Sequence, residues 1–152
     1  MAATTQNAFK RFVESGDYAA VVAAMRADAG EARVQECGCS AVLVVAQSDG
    51  GRKRMAVAGG IEAVVSALHA HGGAHVGVAA AGCEALGNLA LNNTDNQKAI
   101  ASAGGIEAVV SALRAHGGAH AEVAKLGCGA LYNLAFDADN TKAIASASKA
   151  RL

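Results

Sequence analysis

The chain has no proline and no tryptophan, and aromatic residues make up only 3% of its 152 positions. Proline is the strongest helix breaker and alanine the best helix former. With no proline and 39 alanines, the chain is expected to be mostly helical. A surplus of charge is missing too, since Lys plus Arg and Asp plus Glu are 13 each and the formal net charge is zero. Binding to nucleic acid or to an anionic lipid surface needs excess positive charge to neutralise phosphate. Neither nucleic acid nor membrane is therefore an expected partner. No run of 18 residues is uniformly apolar, so a membrane-spanning helix is not expected. The opening MAATTQNAFKRF has no apolar centre of the kind found in secretory signals.

Catalytic signatures are absent as well. There is no GxSxG, no phosphate-binding GxxxxGK[ST] and no HExxH. The glycines come in pairs where helices are expected to end, not in a phosphate cradle. Cys37, Cys39, Cys83 and Cys128 include no paired CxxC spacing, so zinc is not expected. In a chain of this size and composition they read as small buried hydrophobes in a reducing compartment. His69, His71, His75, His116 and His120 gather in two loops without a recurring acid or thiolate, and read as solvated loop residues. Arg52-Lys53-Arg54 reads as a solvated basic face. The reading is of a non-enzyme with no cofactor and no metal.

What the sequence does contain is a repeat. IEAVVSALHAHGGAHVGVAAAGCEALGNLA begins at Ile61, and IEAVVSALRAHGGAHAEVAKLGCGALYNLA begins 45 residues later at Ile106. A more divergent copy, YAAVVAAMRADAGEARVQECGCSAVLVVA, begins at Tyr18 with one loop residue fewer. Lys10, Lys53, Lys98 and Lys142 fall in register, as do Phe12, Met55, Ile100 and Ile144. A period of about 40–47 residues with two or three helices per unit is that of HEAT and armadillo arrays.

Each unit reads as a short, a middle and a long helix. The short helices are expected near 52–58, 94–103 and 139–149, the second capped by Asn93 or Thr94. They stop at Gly59-Gly60 and Gly104-Gly105, because glycine tolerates the left-handed turn that ends a helix. Middle helices are expected at 61–70 and 106–115. Ile61, Val64, Val65 and Leu68 form one apolar stripe at the helical spacing i, i+3, i+4, i+7. Long helices are expected at 76–91 and 121–136, with Val78, Cys83, Leu86 and Leu89 inward. The first copy should place helices at 18–28, with Asp17 as cap, and at 31–47. A leading helix over 3–15 carries Phe9, Phe12 and Val13. The division is 1–17 for the N-terminal helix, 18–60, 61–105 and 106–138 for the repeats, and 139–152 for the C-terminal helix. One unit cannot bury its apolar stripe alone, so the units must stack, and about three are the minimum for a stable array. Modest stability and exposed terminal faces follow, with self-association through those faces as an alternative role.

The run AGGIEAVVSAL followed by GCEALGNLA or GCGALYNLA resembles the armadillo repeat. The resemblance covers about residues 8–149. It implies an all-α, alpha-alpha superhelix, an armadillo-type solenoid of about three three-helix repeats with partial terminal helices. It further implies that the long helices line a concave groove, where an Asn on each holds the backbone of an extended peptide. Asn88 and Asn133 occupy that position, and the first copy has Val44. Where peptide-carrying members place a Trp, this chain has Ser40, Glu84 and Gly129, and the proline usual at the start of the middle helix is missing.

Read from the residues alone, the face opposite the core carries Glu84, Gly87, Asn88 and Leu91 in the second copy. The third copy offers Lys125, Gly129, Tyr132, Asn133 and Phe136, and the first offers Glu36, Ser40, Leu43, Val44 and Gln47. Tyr132 and Phe136 form an i, i+4 aromatic pair next to an amide, a common recognition element. Phe136 could equally tuck under the next helix, and the two asparagines could equally bond an inter-repeat backbone. The expected partner is a protein or an extended peptide, or a second copy of the chain. The expected compartment is the cytoplasm, with a peroxisomal alternative because Ala150-Arg151-Leu152 resembles a relaxed Ser-Lys-Leu address.

Overall fold

In the computed structural model, which describes residues 2–150, every regular element is helical. A leading helix α1 (Ala2–Ser15) precedes α2 (Tyr18–Ala27) and α3 (Ala32–Val45). Next come α4 (Asp49–Val57), α5 (Gly60–Ala67) and α6 (Val76–Ala90), then α7 (Thr94–Ser102), α8 (Gly105–His116) and α9 (Ala121–Leu134). The last helix is α10 (Ala138–Lys149).

Local chemistry sets the boundaries. A side-chain oxygen accepts from an otherwise unpaired backbone N–H at the start of a helix. Asp17 does so for Ala20 at 3.0 Å, Ser48 for Gly51 at 3.1 Å and Asn93 for Asn96 at 2.9 Å. Asp137 accepts from both Asp139 and Asn140. The Ser48 cap starts α4 three residues ahead of the expected 52. Gly59 (φ 92°) and Gly104 (φ 87°) adopt the left-handed conformation between short and middle helices, which a side chain would disfavour. One departure is that α5 continues into a π-helical turn over Leu68–Gly72, whereas α8 runs as regular α-helix to His116.

The long helices stack in a row, α3 against α6 and α6 against α9, with α1 on the outer side of α3. This is the all-α superhelix of stacked repeats that the period predicts. Its core is continuous from Val21, Val42 and Met55 through Val64, Leu86 and Leu89 to Ile100, Val109 and Leu134, all fully buried. Each such aliphatic side chain contributes about 1.5–3 kcal/mol on leaving water. Glycines let the middle helix close on the long one. A Cβ at Gly82 would stand 2.6 Å from Leu68, and one at Gly127 would stand 2.5 Å from Leu113.

Polar rivets tie successive repeats. The buried Asn96 amide donates to the carbonyls of Leu89 (2.8 Å) and Arg52 (3.4 Å). Asn140 repeats the bond pattern on Leu134 (3.1 Å) and Gln97 (3.0 Å). Within single repeats, Gln97 donates to Ala90, and Gln35 to Met25 and Asp28.

Three expectations need correction. Arg52 is not part of a solvated face: it is buried, with Nε donating to the Asn88 carbonyl at 2.9 Å and Nη1 paired with Asp49. Its neighbours Lys53 and Arg54 are exposed. His71 and His116 are half-buried rather than solvated, because each Nε2 reaches back 2.8 Å to a carbonyl of the preceding repeat, Ala29 or Gly72. Cys128 is exposed whereas the matching Cys39 and Cys83 are buried, since among the described residues no further long helix packs against α9 as α9 packs against α6. No helix among the described residues is long and apolar enough to cross a membrane. Arg151 and Leu152 of the C-terminal tripeptide lie outside the described residues.

Candidate functional site

The faces of α3, α6 and α9 that turn away from the core form one strip. On α3 it presents Ser40 and Val44, followed by Gln47 just past the helix end, all exposed. On α6 it presents Glu84 and Asn88, followed by Leu91 just past the helix end, all half-buried. On and just after α9, Lys125, Gly129, Tyr132 and Phe136 are exposed and Asn133 is half-buried. The inward set of Val78, Cys83, Leu86 and Leu89 is buried, which fixes the rotation of α6 as the spacing predicts.

Gly87 does not belong to this strip. It is buried where α6 and α9 meet, and a Cβ there would lie 3.3 Å from Cα of Ala130. The missing side chain serves helix approach rather than ligand access, and the Gly87 carbonyl is already occupied by Asn133.

The two asparagines sit in register but bond differently. Asn133 Nδ2 donates across the repeat boundary to the Gly87 carbonyl at 2.9 Å. Asn88 Nδ2 donates to Glu84 of its own helix at 3.0 Å. A primary amide has two N–H donors and an oxygen with two lone pairs. One N–H is committed in each residue, so one N–H and Oδ1 of each remain for a guest backbone. Arg52 and Leu91 donate to the Asn88 backbone carbonyl at 2.9 and 3.2 Å, which anchors the last turn of α6 beneath the strip.

Tyr132 and Phe136 are 67% and 70% exposed, with their rings edge to face at 5.3 Å. Phe136 therefore does not tuck under α10. At the other end, α1 and α3 enclose a cleft of about 450 Å³. Its wall includes Phe9, Val13, Ala41 and Val44, and its rim carries the ion pairs Lys10–Glu14 (3.9 Å) and Arg33–Glu36 (3.5 Å). Sequence reasoning found Glu36, Ser40 and Val44 of this cleft but missed the α1 wall. The i, i+4 spacing of Phe9 and Val13 was the available signal.

Three of the four cysteines are buried and carry no reactive thiolate, whereas Cys128 is exposed on α9 beside Gly129. Burial pushes the thiols of Cys39 and Cys83 up to about 12, and for Cys39 repulsion from Cys83 and Glu36 adds to this. Burial likewise raises the Cys37 thiol.

No protein-family profile and no curated protein matches the chain. Solved structures do. A crystal structure of an engineered protein from the Northeast Structural Genomics Consortium superposes with a TM-score of 0.75 at 29% identity, covering 94% of this chain and 56% of that one. A second engineered protein of the same consortium gives 0.76 at 29% identity, covering 94% of this chain and 33% of the other. The chain thus spans about half and one third of the lengths of these two proteins.

Proposed function

We propose that the chain is a non-catalytic protein-interaction scaffold of armadillo type that holds an extended peptide along the strip on α3, α6 and α9. One observation carries this reading. Asn88 and Asn133 stand in register on adjacent long helices, each with free amide capacity, beside the exposed Tyr132–Phe136 pair. Amides repeated along a groove suit a peptide backbone, whose N–H and C=O groups repeat regardless of sequence. Aromatic rings next to them supply side-chain selection, since exposed Tyr and Phe are favoured anchors in interfaces. The free thiols accord with a reducing compartment, for which we propose the cytoplasm.

Capture of partners from a native lysate tests the proposal. Asn88→Ala together with Tyr132→Ala and Phe136→Ala is expected to lose the partners that the wild type retains. None of these three side chains bridges two repeats, so helicity should be unchanged. An identical set of captured proteins refutes the groove.

A structural self-associating role is the second reading. Leu113, Leu131 and Ile144 are half-buried where their counterparts Leu68, Leu86 and Ile100 are buried. A second copy seated on that face would cover them. Light scattering that shows growth of mass with concentration supports it, and a constant mass refutes it.

A further inference from the structure

The two His-Gly-Gly-Ala-His loops carry the same arrangement of imidazoles. Nε2 of His71 lies 2.8 Å from the Ala29 carbonyl oxygen, and Nε2 of His116 lies 2.8 Å from that of Gly72. A carbonyl only accepts, so Nε2 carries the proton in each neutral ring and the lone pair is left on Nδ1. A second, exposed imidazole stands beside each: His75 is 5.8 Å from His71 and His120 is 5.9 Å from His116, centroid to centroid.

We propose that each pair is a two-imidazole site for a divalent transition ion of the zinc, copper or nickel class, with water completing the coordination. A ring N–H held by a backbone carbonyl is the usual support for a metal-ligating histidine, because it fixes the tautomer and orients the free nitrogen. His71 and His116 have that support already. Two imidazoles that share a tetrahedral ion through bonds of ~2.0–2.1 Å stand roughly 5 Å apart by centroid. Closing each pair by about 1 Å reaches this, and the exposed His75 and His120 are the rings free to move. Imidazole nitrogen selects zinc, copper or nickel over magnesium or calcium. Among the described residues no group of three or more His, Cys, Asp or Glu is placed to hold an ion. The site is therefore open and exchangeable rather than a closed structural one. The corresponding loop of the first repeat, Ala27-Asp28-Ala29-Gly30, has no histidine, so the stoichiometry is two per chain.

Calorimetric titration of ZnCl2 into tag-free protein at neutral pH tests this. Cys128→Ser is placed in every sample, since its exposed thiol competes for zinc. Two equivalents are expected to bind, one with either His75→Ala or His120→Ala, and none with both, while MgCl2 gives no heat. Nitrogen-15 spectra should show the Nδ1 resonances of His71 and His116 moving with zinc while their Nε2 resonances hold. His75 and His120 have no hydrogen-bonded ring nitrogen, so these variants should keep the wild-type helicity. Zinc binding unchanged in the double variant, no binding up to about 1 mM ion, or a shift at Nε2 instead of Nδ1 overturns the proposal.

Discussion

The side-chain amide of Asn133 donates to the carbonyl of Gly87 on the preceding long helix, 2.9 Å away, while Asn88 turns the same group back onto Glu84. The cause lies one repeat behind each residue. Behind Asn133 stands Gly87, and without a side chain there α9 approaches until Ala130 is in contact. Behind Asn88 stands Leu43, half-buried and carrying a side chain where Gly87 has none. Asn133 therefore holds two repeats together and Asn88 does not. Asn133→Ala should cost about 1 kcal/mol of unfolding free energy, the typical value of one hydrogen bond. Asn88→Ala should change stability by less than about 0.5 kcal/mol, with alanine's better helix propensity offsetting the lost local bond. Urea denaturation measures both, and equal losses would contradict the asymmetry.

Asn96 is the heavier rivet. Its buried amide serves the carbonyls of Leu89 and Arg52 at once, so Asn96→Ala leaves two acceptors without their donor. The cost should be about 2–3 kcal/mol. Asn96→Asp should be at least as damaging, because it aims carboxylate oxygens at carbonyl oxygens. A thermal melt of the three proteins decides this, and wild-type melting for Asn96→Asp would rule out the donor role.

The helices, the stack and the core stripe were legible in the sequence because they rest on local periodicity. Val78, Cys83, Leu86 and Leu89 point inward as their spacing requires. Contacts between repeats were not legible. The burial of Arg52, the bonds of Asn96 and Asn140, and the reach of His71 and His116 depend on which carbonyl of a neighbouring repeat comes within 3 Å or so, and that is a property of the stacking geometry. The recurrence of Asn96 and Asn140 ahead of Lys-Ala-Ile was a visible signal, but without a partner in view it reads as an ordinary exposed helix start. Gly87 failed for a similar reason. Spacing places it on the groove side, and only the closeness of Ala130 shows that the helix contact consumes it.

Two glycines in long helices should respond to alanine with opposite signs. Gly82→Ala drives a Cβ to 2.6 Å from Leu68, which is itself buried and has no room to withdraw. Overpacking of this kind costs about 1–3 kcal/mol. A Cβ at Gly129 meets nothing within 4 Å, so Gly129→Ala should stabilise by about 0.5–1 kcal/mol through helix propensity alone. Denaturation midpoints of the pair check the claim, and destabilisation by both would mean that α9 is packed on its outer side as well.

Thiol chemistry should separate the matching cysteines. Cys39 and Cys83 are buried with thiols pushed up to about 12, whereas Cys128 is exposed. At pH 8 the two buried thiols hold roughly one part in ten thousand as thiolate, the reactive form. An aromatic disulfide reagent should therefore modify Cys128 promptly and reach Cys39 and Cys83 only on unfolding. The same shifts set a pH dependence. Unfolding returns both thiols toward their ordinary value of 9.0, so the unfolded chain gives up these protons first as pH rises. Their contribution is intact below pH 9 and drains away toward pH 12, with a slope approaching about 1.4 kcal/mol per pH unit for each thiol. Cys39→Ala with Cys83→Ala should flatten the alkaline limb of a stability-against-pH curve. An unaltered limb would mean that the two thiols ionise as easily in the folded chain as in the unfolded one.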